Sequence, residues 1–219
     1  MQLLNRWKET QLQGDNTLKL AFILLAFGIV SISSGLRSQV NIPDPKVSAA
    51  PANNIIPNKP KTSISPSEPS SISIPRISLA ADEIISLGKN PDNTVEIPGG
   101  ENYDKPGWYK HSVTPGENGS SVILGHVDSY QSGPSVFFQL GQLQPNDEIT
   151  VKRKDNSKAI FRITEIRSVN KGNFPTDEVY SSISVPTLKL VSCGGRFDKS
   201  TGEYENNIIV FASLINFNT

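Results

Sequence analysis

Cysteine is almost absent from this 219-residue chain: Cys193 stands alone. An internal disulfide is excluded and the thiol remains free. Histidine is nearly as scarce, with only His111 and His126. These residues lack metal-ligand spacing and no calcium-loop pattern occurs, so neither a metal nor another cofactor is expected. Neither sign of charge prevails, since 21 Lys and Arg balance 21 Asp and Glu. Nucleic acid is therefore not an expected partner, because phosphate binding needs a concentrated basic face. A glycine-rich phosphate loop is missing as well.

Long apolar runs are lacking too, with one exception. Residues 20–36 carry no charge and come close to the shortest stretch that crosses a hydrocarbon core of about 30 Å. Ser31-Ile32-Ser33 supplies small residues for signal-peptide cleavage, but the polar lead-in is long for a signal peptide and favours a retained anchor. Arg6, Lys8 and Lys19 precede the segment, against Arg37 and Lys46 after it, and cytoplasmic flanks carry the excess of Lys and Arg. The expected organisation is a cytoplasmic tail over 1–19 and a single transmembrane anchor over 20–36 in the cell membrane, with the remaining chain outside. Residues 37–71 are rich in Pro, Ser, Asn and Lys and read as a disordered, semi-extended linker, because they cannot bury enough apolar surface to offset their ordering entropy.

From residue 72 to 219 the pattern is that of one folded domain. Short β-rich runs at 74–79, 122–124, 136–138, 149–153, 160–166, 188–191 and 208–212 alternate with turn signals such as Gly99-Gly100, Pro145-Asn146-Asp147 and Gly202. Only residues 80–87 hint at a helical period. Many short strands at this spacing predict a mainly all-β domain, an antiparallel barrel or sandwich.

Cys193 closes one strand-like run and His126 closes another. A thiol on one stiff strand end and an imidazole on a second are the minimum equipment for covalent acyl chemistry. Taken singly, each has an inert reading: free cysteine packs as a small hydrophobe, and histidine often satisfies a core or orients a turn. Gly194-Gly195 weighs toward chemistry, since it lets the backbone approach a ligand and offers N–H groups to a developing oxyanion. A cation such as His126 or Arg196 would have to lower the thiol pKa from its unperturbed value of about 8.5. Asp128 either orients His126 or caps a turn. His111 reads as a surface residue, and Trp108 and Tyr109 as packing or the lining of a peptide groove.

The ordered motifs resemble the sortases, membrane-anchored cysteine transpeptidases of the bacterial surface, and are most similar to the class F branch. They are Ile74-Pro-Arg-Ile77, Gly107-Trp-Tyr109, Leu124-Gly-His-Val-Asp-Ser129, Gly133-Pro134 with Val136-Phe-Phe138, Phe174-Pro-Thr176, Leu188-Lys-Leu190, Cys193-Gly-Gly195 with Phe197-Asp198, and Tyr204 through Ala212. The resemblance implies a closed antiparallel β-barrel of about eight strands with short helices. It implies that Cys193 attacks a carbonyl in a C-terminal sorting signal of the Leu-Pro-x-Thr-Gly type and forms a thioester. His126 would protonate the departing amine and deprotonate the incoming one, and an arginine would steady the oxyanion. The partners would be surface proteins bearing that signal and an amine acceptor such as a cell-wall precursor or a pilin lysine.

Two departures stand out. The family motif Thr-Leu-x-Thr-Cys falls on Lys189-Leu-Val-Ser-Cys193, and the place of the arginine on the strand after the cysteine holds Asn206 or Asn207. Arg196 is the substitute candidate for the missing cation. Asn207, with the Gly194 backbone, is a weaker oxyanion donor. A membrane-tethered cysteine hydrolase and a non-catalytic surface binding barrel are the alternative functions.

Overall fold

The computed structural model describes residues 64–129, 133–181 and 183–219. The expected tail, anchor and most of the linker lie outside the described residues, among which no helix is long and apolar enough to cross a membrane. In chain order the strands are β1 (Pro69–Ile74), β2 (Leu79–Ala81), β3 (Ile85–Leu87), β4 (Gly107–Tyr109), β5 (Gly119–Leu124), β6 (Asp128–Ser129), β7 (Gly133–Pro134) and β8 (Glu148–Arg153). The long strands β9 (Lys158–Asn170), β10 (Pro186–Asp198) and β11 (Glu203–Asn218) follow, with a short helix α1 (Thr176–Tyr180) between β9 and β10.

Nine of these strands form one curled sheet in the order β2-β1-β8-β9-β11-β10-β5-β4-β3, while β6 and β7 make a separate small pair. The expectation of a closed, antiparallel barrel is corrected on both counts. Among the described residues the edge strands β2 and β3 do not pair with each other. The pairs β5–β10 and β3–β4 run parallel. A parallel pair needs a long crossover, and the chain from β5 to β10 supplies one by building β8 and β9 on the way.

Period-two alternation sets the core. Ile72 and Ile74 on β1, Ile149 and Val151 on β8, Phe161 and Ile163 on β9, Leu188 and Leu190 on β10, and Ile208 and Val210 on β11 fill the concave face. Each fully buried side chain of this size contributes about 1.5–3 kcal/mol. On the opposite face Val122, Val191, Ile209 and Phe211 pack with Tyr109 beneath Val179 of α1, joined by Phe174 and Tyr180. Strands covered on both sides become continuous apolar runs, as over 208–212, and the one charged side chain of 188–191, Lys189, is itself buried against Phe211.

Three local expectations are replaced. Residues 74–79 do not form one strand: Pro75 has no N–H for a ladder, so the chain makes a 3-10 turn over Pro75–Ile77, passes Ser78 at φ 51°, and returns as β2. Residues 80–87 hold β2 and β3 rather than a helix. Residues 136–138 form a turn that buries Phe137 in the core and is tied by Phe137 N–H to the His126 carbonyl at 3.0 Å. β1 begins at Pro69, inside the segment read as linker, because Ser71–Ser73 pair with β8 and Ile72–Ile74 with β2. The buried Arg153 guanidinium holds residues further upstream by donating to the carbonyls of Ser65 and Ser67.

Candidate active site

The parallel pairing of β5 and β10 aligns Val191 with Leu124. Gly125 N–H donates to the Val191 carbonyl at 3.2 Å, and the Ser192 hydroxyl donates to the Gly125 carbonyl at 2.9 Å. Cys193 and His126 are the residues directly after that Ser192–Gly125 contact, at the same separation in sequence. β5 ends at Leu124, two residues before His126, whereas Cys193 lies inside β10, which runs on to Asp198, so the expectation that Cys193 closes its strand is replaced. The hydroxyl retained at Ser192 therefore clasps β10 to the residue that follows β5.

Glycine is required here by close approach. A Cβ on Gly125 would lie 2.6 Å from Phe137 Cδ2 and 2.8 Å from Val136 Cγ1. On Gly194 it would lie 2.6 Å from Ile208 Cγ1. Gly195, at φ 75°, turns the chain through a bulge in the β10–β11 ladder. The pair Gly194-Gly195 thus has a packing and turning role in addition to any N–H it presents.

Cys193 is half-buried and opposes Asn207 on β11. Residues opposed in an antiparallel ladder project from the same face, so the Asn207 side chain flanks the thiol on the side away from His126. Its Nδ2 donates to the Ser192 carbonyl at 3.3 Å. Burial pushes the Cys193 thiol up from its ordinary value; Lys171 opposes that shift, while Glu203 and Asp128 add to it. Lys171 stands one residue beyond β9, ion-paired to Glu203 at 3.0 Å. Lys171 is thus a charge near the thiol that the sequence did not single out.

His126 Nε2–H donates to the Pro98 carbonyl at 2.7 Å. The Tyr103 ring stacks flat on the imidazole, with centroids 3.8 Å apart and planes 2° apart. Asp128 does not bond to His126. A bend at Val127 breaks the strand between them, so the two side chains do not share a strand face. The Asp128 carboxylate instead accepts from the Tyr204 hydroxyl at 2.5 Å, and its carbonyl accepts from the Tyr103 hydroxyl at 2.9 Å. Burial, followed by the Asp128 contact, raises the Tyr204 phenol well above its ordinary value.

Arg196 lies in the bulge with 81% of its side chain exposed, its guanidinium held by the Glu205 carboxylate. His111 is exposed and meets Tyr109 edge-on. Lys189, at the first motif threonine, is buried, with Nζ 4.5 Å from the centre of the Phe211 ring. Among the described residues no group of three or more His, Cys, Asp or Glu is placed to hold a metal ion. Of the residues missed in the sequence, Pro98 acts through its backbone carbonyl and Tyr103 lies in a loop far from either strand end. Neither carries a local signal.

A strand-borne thiol, an aligned histidine and a polar neighbour on the next strand can together support acyl transfer through a thioester. No curated protein matches the chain. Among solved structures, sortase A from Corynebacterium diphtheriae is similar at TM-score 0.52 with 17% identity, over 69% of this chain and 62% of that one. This chain thus spans less than two thirds of the diphtherial protein's length. A sortase D5 transpeptidase from Clostridium perfringens is similar at TM-score 0.50 with 26% identity, over 68% of this chain and 79% of that one. A pilus-related sortase C of Group B Streptococcus is similar at TM-score 0.53 with 16% identity, over 72% and 77%. The sortase-domain family model matches residues 72–215, which run from the middle of β1 to the last residues of β11 and include Cys193 and His126, and the chain accordingly belongs to the sortase family.

Proposed function

We propose that the protein is a cysteine transpeptidase that cleaves a C-terminal sorting signal of the Leu-Pro-x-Thr-Gly type and transfers the acyl part to an amine acceptor on the cell surface. The observation that carries this reading is the register of β5 and β10, continued by the Ser192–Gly125 hydrogen bond to the residues directly before Cys193 and His126. Cys193 gives its proton to His126 and attacks the scissile carbonyl; the C–N bond breaks, His126 returns a proton to the leaving amine, and a thioester remains. The incoming amine then loses its proton to His126, the C–S bond breaks, and the thiol is restored. Asn207 flanks the thiol as an amide donor. Arg196 reaches an oxyanion only by leaving Glu205. Exposed Ile97 and Phe197, near Pro98 and Tyr204 respectively, offer apolar contacts to the peptide.

The ordered motifs favour the class F branch. The apolar segment 20–36 is proposed as the membrane anchor, with the amino terminus cytoplasmic and the catalytic domain outside. The test is to mix the full-length protein with a fluorogenic sorting peptide, with and without triglycine. The expected result is one acyl peptide added to Cys193 and a triglycine-containing product. Release to water alone would identify a hydrolase, and an unmodified Cys193 would overturn the reading.

A further inference from the structure

His126 has two ring nitrogens, and only one can face the thiol and the leaving amine. Nε2 is already engaged. A carbonyl oxygen can only accept, so the 2.7 Å contact to Pro98 requires the proton to sit on Nε2 in the neutral ring. Nδ1 has no hydrogen-bond partner among the described residues. Its lone pair is therefore the one available for proton exchange.

The ring is held by more than that one bond. Tyr103 covers an entire imidazole face, and its hydroxyl is anchored on the Asp128 carbonyl, two residues past His126. Tyr204 reaches over from β11 to the Asp128 carboxylate, and its own ring meets Phe197 edge-on at 5.1 Å. A chain of contacts thus runs from the β10–β11 hairpin, through Tyr204 and Asp128, to Tyr103 and the imidazole. Burial and the negative charges of Asp128 and of an ionised Cys193 push the Tyr103 phenol up.

We propose that His126 exchanges protons through Nδ1, with Tyr103 as the positioning residue that holds the ring against the Pro98 carbonyl and Asp128 as the anchor of both tyrosines. This rests on the reading of His126 as the acid and base. In the forward step Nδ1 takes the proton of the Cys193 thiol, giving an imidazolium protonated on both nitrogens, and then passes that same proton to the amine as the peptide C–N bond breaks. Nε2 keeps its proton throughout and donates to Pro98, so the carbonyl strengthens its bond when the ring becomes charged. Asp128 serves the histidine at one remove, through the aromatic face laid on it.

Two histidines in the chain make the test direct. Full-length protein labelled with 15N-histidine, with His111→Gln to assign the remaining signal, is examined by long-range proton–nitrogen correlation. The neutral His126 ring is expected to show a protonated Nε2 and a bare Nδ1; a protonated Nδ1 would overturn the proposal. Tyr103→Leu is expected to mix the two tautomers and lower kcat about tenfold with KM unchanged. Tyr103→Phe, which keeps the stacked ring, is expected to retain the tautomer and lose less activity, and it keeps the test open should the leucine variant misfold. A pure tautomer and full kcat in Tyr103→Leu would remove Tyr103 from the role. The tautomer is read without substrate, so failure of Cys193 to form an acyl-enzyme would strike the functional reading and leave this result separate.

Discussion

Replacing Gly125 by alanine tests whether packing beneath the His126 loop is what places the imidazole. The added methyl would stand 2.6 and 2.9 Å from two Phe137 ring carbons and 2.8 Å from Val136 Cγ1. Neither side can retreat cheaply. Phe137 is 1% exposed and wedged in the core, while Gly125 is bonded through its N–H to Val191 and through its carbonyl to Ser192. Overpacking of this kind costs about 1–3 kcal/mol. For a domain of this size each kcal/mol lowers Tm by about 2–4 °C, so a fall of about 2–12 °C is expected. The cheapest relief is for the 135–138 turn to shift, and Phe137 N–H is tied to the His126 carbonyl, so the histidine shifts with it. Turnover of the sorting peptide should fall at least tenfold at temperatures where the variant remains folded. Urea unfolding at unchanged m-value measures the stability loss, and alkylation of Cys193 reports separately on the thiol. Gly99→Ala is the control, since its Cβ meets only the Ile97 carbonyl at 4.0 Å, and it should change stability by less than about 0.5 kcal/mol. Wild-type stability and turnover in Gly125→Ala would show that the turn yields freely and does not fix His126.

Two further outcomes bear on charge around the thiol. Arg196→Ala removes an exposed, solvent-screened ion pair and should leave the unfolding midpoint unchanged, yet lower turnover at least tenfold if the guanidinium serves the oxyanion. Near-normal turnover would remove Arg196 from the site, and Glu205→Gln should then also be silent rather than activating. Lys171→Gln withdraws the positive charge that offsets burial of Cys193, so the thiol should titrate higher and its iodoacetamide reaction at neutral pH should slow. Glu203→Gln acts with the opposite sign on the thiol and should speed it. Alkylation rate against pH reads both, and shifts in the same direction would refute an electrostatic cause.

Much of the fold could be read along the chain. The β-rich runs at 188–191 and 208–212 are strands as expected, and Pro75 shows why the run at 74–79 had to break. Neighbouring strands could not be read this way. The prediction of an antiparallel barrel failed at β5 and β10, where alternation within each strand is the same whichever way its neighbour points.

The site divides along the same line. Residue chemistry alone singled out Cys193, His126 and the glycines, because thiol, imidazole and missing side chain are properties of single residues. What each of them faces was decided by the tertiary structure: Asn207 opposite the thiol, Arg196 turned to Glu205, Asp128 given to two tyrosines, and a proline carbonyl on the imidazole. Those partnerships depend on the register between strands whose clasping residues, Ser192 and Gly125, lie 67 apart in sequence. Register at that separation is chosen by which side chains fill the core together, a condition no stretch of sequence carries by itself.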